Sequence, residues 1–175
     1  MVHTPQGLRF IYIHHKNYSV MTNEELKQGG AYPSECTTVI VGSRMTADGS
    51  MILARSEDWN MSFAKNLEIY EDREEGPKEF VAQDSGFRCE LPREALGYTA
   101  LAPCHLRGSW GSAGYNTAGV GMSATESIFS SDRALESDPL VAEGVAENSV
   151  FNIVLPYIRS AREGVLRLGA LIEEH

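Results

Sequence analysis

The sequence predicts an α+β fold, and three observations carry that prediction. Two β-rich runs flank an Asp48-Gly49 turn. Short strand-like runs separated by glycine-rich turns fill the middle of the chain. Towards the C-terminus the apolar spacing changes from period 2 to the helical period of about 3.6 residues.

Residues 1–35 differ from the rest of the chain. His14-His15-Lys16-Asn17 is polar, and Lys27-Gln28-Gly29-Gly30 is turn-rich, so the segment reads as a tail, an ordered arm or a leader. Thr37-Thr38-Val39-Ile40-Val41 is β-branched throughout and predicts a buried strand. Asp48-Gly49 is a strong turn signal, and Met51-Ile52-Leu53-Ala54 makes the second arm of a hairpin. Leu67 to Tyr70, Phe80 to Ala82 and Tyr98 to Leu101 are further strands, with an acidic loop from Glu71 to Lys78. Tyr115 ends one strand, Val120 to Thr125 forms the next, and Asn116 to Gly119 turns between them. Val150, Ile153, Val154, Tyr157 and Ile158 share a helical face. Ser160 with Glu163 is a capping-box pattern, and Val165, Leu168, Leu171 and Ile172 continue an apolar stripe that reads as core.

Composition narrows the function. The chain has 175 residues, 42% hydrophobic and 22% charged, which suits one domain or part of a larger one and a normal core. Its net charge of -9 repels phosphate, and no Lys/Arg stripe overrides this, so nucleic acid and anionic membrane surfaces are excluded as partners. No apolar run approaches the roughly 18 residues of a membrane span. The patch from Phe10 to Ile13 is too short for a secretory signal, so a cytoplasmic location is expected. Cys36, Cys89 and Cys104 cannot all pair within the chain, and there is no CxxC. His14-His15 has no third ligand at a recognisable spacing, so no metal or other cofactor is expected.

The hairpin is the candidate site. With the loop running from Met45 to Gly49 and Arg44 opposite Ser50, Cys36 falls opposite Asp58, with Arg55 nearby. A strict two-residue turn would place Cys36 opposite Met61 instead. Strict alternation sends Arg55 and Asp58 to opposite faces, so both serve one site only through a bend near Ser56-Glu57. Each residue also has a plain reading. A cysteine at a strand start is a small packed hydrophobe. Arg55 and Asp58 make an exposed ion pair. Asn116 is a left-handed turn residue.

A family resemblance sharpens these readings. The segments CTTVIVG, TADGSMILARSED, GYNTAGVGMSATES and LPYIRSAREGV resemble, in order and spacing, the N-terminal half of the bacterial cysteine dipeptidases called dipeptidase A. Those enzymes are N-terminal-nucleophile hydrolases, with secernins as distant relatives. Penicillin V acylases and bile-salt hydrolases share the wider Cys…Arg-x-x-Asp…Asn logic. The resemblance runs from about Ala31 to the end of the chain. It implies an αββα sandwich that is incomplete here, because the family's chains run well beyond this one.

It also implies roles. Cys36 matches the nucleophile, exposed by self-cleavage at Glu35–Cys36; residues 1–35 are then a leader and residues 36–175 the N-terminal part of the peptidase domain. Arg55 and Asp58 match the Arg-x-x-Asp pair, and Asn116 matches an oxyanion-hole donor. Glu126 is the candidate carboxylate for a substrate's free amine. The expected function is cysteine-type hydrolysis of dipeptides, in a chain that a homo-oligomer would also suit. The alternatives are an acylase of the penicillin V acylase type and a truncated, non-catalytic interaction protein.

Overall fold

The computed structural model describes residues 36–57, 64–82, 86–103, 111–125, 131–139, 141 and 143–175. The expectations placed on residues 1–35, Asp58, Cys104 and Glu126 lie outside the described residues. The chain divides into two compact units, the first holding Met1–Ala64 and Thr125–Ser127 and the second Lys65–Ala124 and Ile128–His175.

The described part of the first unit is the hairpin of β1 (Cys36–Val41) and β2 (Ile52–Glu57). The β-branched run of β1 favours extended backbone because its side chains lose less freedom there than in a helix. The antiparallel register pairs Cys36 with Glu57 and Val41 with Ile52. This corrects the expected pairing of Cys36 with Asp58 by one residue, and a slip of one exchanges the faces of a strand.

The cause lies in the loop. Residues 42–51 form a wide connection that opens with a 3-10 turn over Ser43–Met45. Asp48 closes it, accepting from the Ser50 backbone N–H at 3.1 Å and the Ser50 hydroxyl at 2.6 Å. Gly49 sits at φ 73°, where a side chain would be strained. Asp48-Gly49 turns the chain as expected, but inside this wider loop.

The second unit contains β3 (Lys65–Tyr70), β4 (Glu79–Val81), β5 (Arg88–Glu90), β6 (Tyr98–Pro103), β7 (Ala113–Tyr115) and β8 (Gly121–Ser123). They form antiparallel pairs β3–β6, β4–β5 and β7–β8. Helices α1 (Asp132–Ser137), α2 (Glu147–Val154) and α3 (Ala161–Glu174) come after them. The α+β expectation therefore stands. The short β5 and α1 were not expected from the sequence.

Phe87, Phe151, Ile153 and Leu155 are fully buried and form the centre of the core, with Ala100, Val154, Ile158 and Leu171 around them. The helical face expected from Val150 to Ile158 stops at Val154, where Leu155–Tyr157 tightens into a 3-10 turn. Pro156 lacks the N–H that a continuing α-helix would need. A new helix then starts at the predicted Ser160 cap, with the return bond of the capping box made one residue early, to Arg159 rather than to Ser160. The Ser160 hydroxyl accepts from the Glu163 N–H at 3.2 Å, and the Glu163 carboxylate accepts from the Arg159 N–H at 2.6 Å.

The α3 stripe packs through only part of its width: Leu171 is buried and Leu168 half-buried, whereas Val165 and Ile172 are exposed. Among the described residues no helix is long and apolar enough to cross a membrane.

Candidate functional site

In an antiparallel pair, residues directly opposite each other project to the same side. The observed register therefore gathers Cys36 and Thr38 of β1 with Arg55 and Glu57 of β2 on one face. Arg55 Nη2 donates to Cys36 Sγ at 2.8 Å, diagonally across the strands. The Arg55 side chain is only 7% exposed, and its Nη2 lies 3.9 Å from Glu57 Oε2, whose side chain is 25% exposed. A thiol at the first residue of a strand thus meets a largely buried guanidinium, itself flanked by a carboxylate.

The sequence reading brought Cys36 and Arg55 into one neighbourhood, and the structure joins them. It missed Glu57. The signal was available: Arg55-x-Glu57 is an alternating pair that shares a strand face whatever the register.

Asn116 belongs to the second unit, at the corner between β7 and β8. Its backbone N–H donates to Val120 O at 3.0 Å, and Gly119 N–H returns to Asn116 O at 2.9 Å, which closes the turn. Gly119 supplies the positive φ, at 80°. The Asn116 side chain is buried and fully engaged. Nδ2 donates to Leu155 O at 2.8 Å and Ile158 O at 2.7 Å, and Oδ1 accepts from the Val120 N–H at 3.0 Å. A primary amide has two N–H donors, and both are spent on the carbonyls around the turn before α3. Sequence reasoning found the turn but not these anchors.

Cys89 is a second thiol, buried in the core of the second unit. Burial pushes its thiol up, against the weaker opposing pull of Arg167. Such a sulfur is a poor nucleophile, in contrast to a half-buried cysteine touching a guanidinium. Among the described residues no three His, Cys, Asp or Glu side chains gather to hold a metal ion.

Comparison with known proteins adds an independent line. Residues 35–175 match the model of peptidase family C69. A protein of Streptococcus pyogenes serotype M3 named "Probable dipeptidase A" is 44% identical over 142 residues, covering 80% of this chain and 30% of that protein. The "Dipeptidase" of Bifidobacterium longum is 42% identical over 153 residues, covering 79% of this chain and 29% of that protein. The "Probable dipeptidase" of Salmonella dublin is 40% identical over 141 residues, covering 79% of this chain and 33% of that protein. The chain thus spans about a third or less of the length of these relatives. With the family match covering most of its residues, the chain belongs to peptidase family C69.

Proposed function

We propose that the chain is part of a cysteine-type dipeptidase in which Cys36 is the nucleophile, exposed as an N-terminal residue by cleavage at Glu35–Cys36. The observation that carries this reading is the 2.8 Å contact from Arg55 Nη2 to Cys36 Sγ at the start of β1. The names of the relatives support dipeptides as substrates, and the matched region begins one residue before Cys36.

The chemistry rests on the needs of a thiol. The thiolate is the nucleophile, and a free thiol is mostly protonated at neutral pH. A guanidinium within hydrogen-bond reach favours the charged sulfur. The base would be the α-amine of Cys36, which is useless inside a peptide bond and competent once free, with a reference pKa of about 7.7–8.0. In this cycle the α-amine takes the thiol proton and the sulfur attacks the dipeptide carbonyl. The α-ammonium then protonates the leaving amine as the C–N bond breaks. Water, deprotonated by the α-amine, hydrolyses the thioester and restores the thiol.

Asp58 would orient the α-amine, and Glu126 would receive the ammonium of the dipeptide. Asn116 is the candidate oxyanion donor; it would have to release one of its two carbonyls, and a well-placed donor contributes about 3–4 kcal/mol. The reading includes an αββα sandwich completed by chain beyond the described residues.

Three measurements on the expressed protein test it. Intact mass should show loss of residues 1–35, and dipeptide hydrolysis should disappear in Cys36→Ala. Alkylation of Cys36 at neutral pH should slow about tenfold in Arg55→Met, the effect of a one-unit change in thiol pKa. Equal hydrolysis by Cys36→Ala and wild type would sink the mechanism. An intact leader with an unreactive Cys36 would leave a non-catalytic interaction protein.

A further inference from the structure

The guanidinium beside Cys36 is shared. Arg55 Nη2 donates to Cys36 Sγ at 2.8 Å, and the same nitrogen lies 3.9 Å from Glu57 Oε2. Glu57 also stands directly opposite Cys36 in the register, so its side chain projects to the sulfur's side of the hairpin. β2 is the strand paired with β1, and Arg55 and Glu57 are its charged side chains. The charged side chains of the loop, Arg44 and Asp48, lie at the opposite end of the hairpin. Among the described residues of this unit, the sulfur therefore faces one cation and one anion.

The two act on the thiol in opposite directions. A guanidinium favours the thiolate, whereas a carboxylate nearby disfavours a second negative charge. At 3.9 Å the Arg55–Glu57 contact is too long for a hydrogen bond. Arg55 is largely buried on its strand, so its place does not depend on that contact. What Glu57 brings to the sulfur is charge rather than a brace.

We propose that Glu57 limits how far Arg55 activates Cys36, which keeps the sulfur a matched proton donor for its own α-amine instead of a standing thiolate. The catalytic meaning of this role rests on Cys36 being the nucleophile. Proton transfer from the thiol to the α-amine is easy when the two hold their protons about equally, and their unperturbed pKa values are about 8.5 and about 7.7–8.0. An unopposed guanidinium would pull the thiol well below the amine. The resulting thiolate would also be a weaker nucleophile, because nucleophilicity falls with basicity.

Alkylation of Cys36 by iodoacetamide tests this without requiring turnover. The rate is read by mass spectrometry of the Cys36 peptide at pH values from about 5 to 10. In Glu57→Gln the midpoint of the rate profile should fall by about one pH unit, the effect of removing one neighbouring charge. The plateau at high pH should drop about two- to threefold, since a less basic thiolate attacks more slowly. Loosened packing alone would not lower midpoint and plateau together. Glu57→Asp keeps the charge, and its midpoint should stay closer to wild type than to Glu57→Gln. An unchanged or raised midpoint in Glu57→Gln overturns the proposal, and a raised one would make Glu57 a brace for Arg55. A Glu57→Asp profile that follows Glu57→Gln overturns it as well. Dipeptide hydrolysis compared with Cys36→Ala is a separate measurement, so the hydrolase reading can fail while the thiol's response to Glu57 stands, and the reverse.

Discussion

Asn116 shows how one residue carries two readings. The sequence marked it as a turn residue and, by resemblance, as an oxyanion donor. Its side chain bonds two carbonyls 39 and 42 residues further along the chain. Contacts at that separation leave no local pattern, so the sequence could show the turn and not the anchors. Removing the amide would leave Leu155 O and Ile158 O buried without this donor and Val120 N–H without this acceptor. A buried polar group left unsatisfied costs about 1–3 kcal/mol, so Asn116→Ala should lose about 3–4 kcal/mol of stability. Urea unfolding measures this, and a loss below about 0.5 kcal/mol would mean that the three bonds hold nothing together. Catalytic loss in an Asn116 variant would then need to exceed what this destabilisation explains. Cys36 and Arg55 contrast with Asn116. Their contact is between adjacent strands, so the sequence brought them close, and only the one-residue register shift remained to be found.

At the scale of elements, legibility tracked the length of the pattern. The α3 capping box and the β1 run are strong local signals, and both elements stand where they were expected, although β1, expected to be buried, leaves Val39 and Ile40 exposed. Strand β5 is Arg-Cys-Glu, too short for alternation to register, and α1 buries none of its residues, so it has no apolar stripe. The β6–β7 contact is of another kind. Ser112 N–H bonds Leu101 O at 2.9 Å, and the backbone of β7 comes so near β6 that a Cβ on Gly114 would stand 1.8 Å from Thr99 O and 3.0 Å from Phe151 Cζ. The obstacle is a backbone carbonyl and a core ring, neither of which can swing aside. The glycine is needed for this approach, in a stretch whose many glycines read from the sequence only as turns. Gly114→Ala should therefore destabilise by about 3 kcal/mol, the upper part of the usual overpacking range. The same substitution at the half-buried Gly169, where a Cβ would meet nothing within 4 Å, should be neutral or slightly stabilising because alanine favours helix. Equal urea midpoints for the two variants would refute the close-approach argument.

For the whole molecule, the α+β class was legible because the apolar period changes along the chain. The pairing of strands was not. β3 pairs with β6 across the intervening β4–β5 hairpin, and partner choice at that distance is set by packing rather than by strand propensity. One product of that pairing is testable. Tyr70 and Tyr98 face each other in the register, with rings stacked at 4.5 Å. Burial pushes the Tyr98 hydroxyl up to about 12, against the opposing pull of its hydrogen bond from Asn152. The sign comes from linkage. Below pH about 10 the phenol is protonated in both folded and unfolded chains, and its contribution to stability is fully present. Between about 10 and 12 the unfolded chain loses the proton while the folded chain keeps it, so this contribution falls as pH rises. Tyr98→Phe cannot ionise in either state and lacks this loss. Other tyrosines and lysines titrate in the same window, but they are common to both proteins. The stability of wild type minus that of Tyr98→Phe, from urea unfolding at pH values from about 9 to 12, should therefore decline across the window. A difference that stays constant with pH would show that Tyr98 is as hydrated in the folded protein as in the unfolded one, and the β3–β6 pairing that buries it would fall with that result.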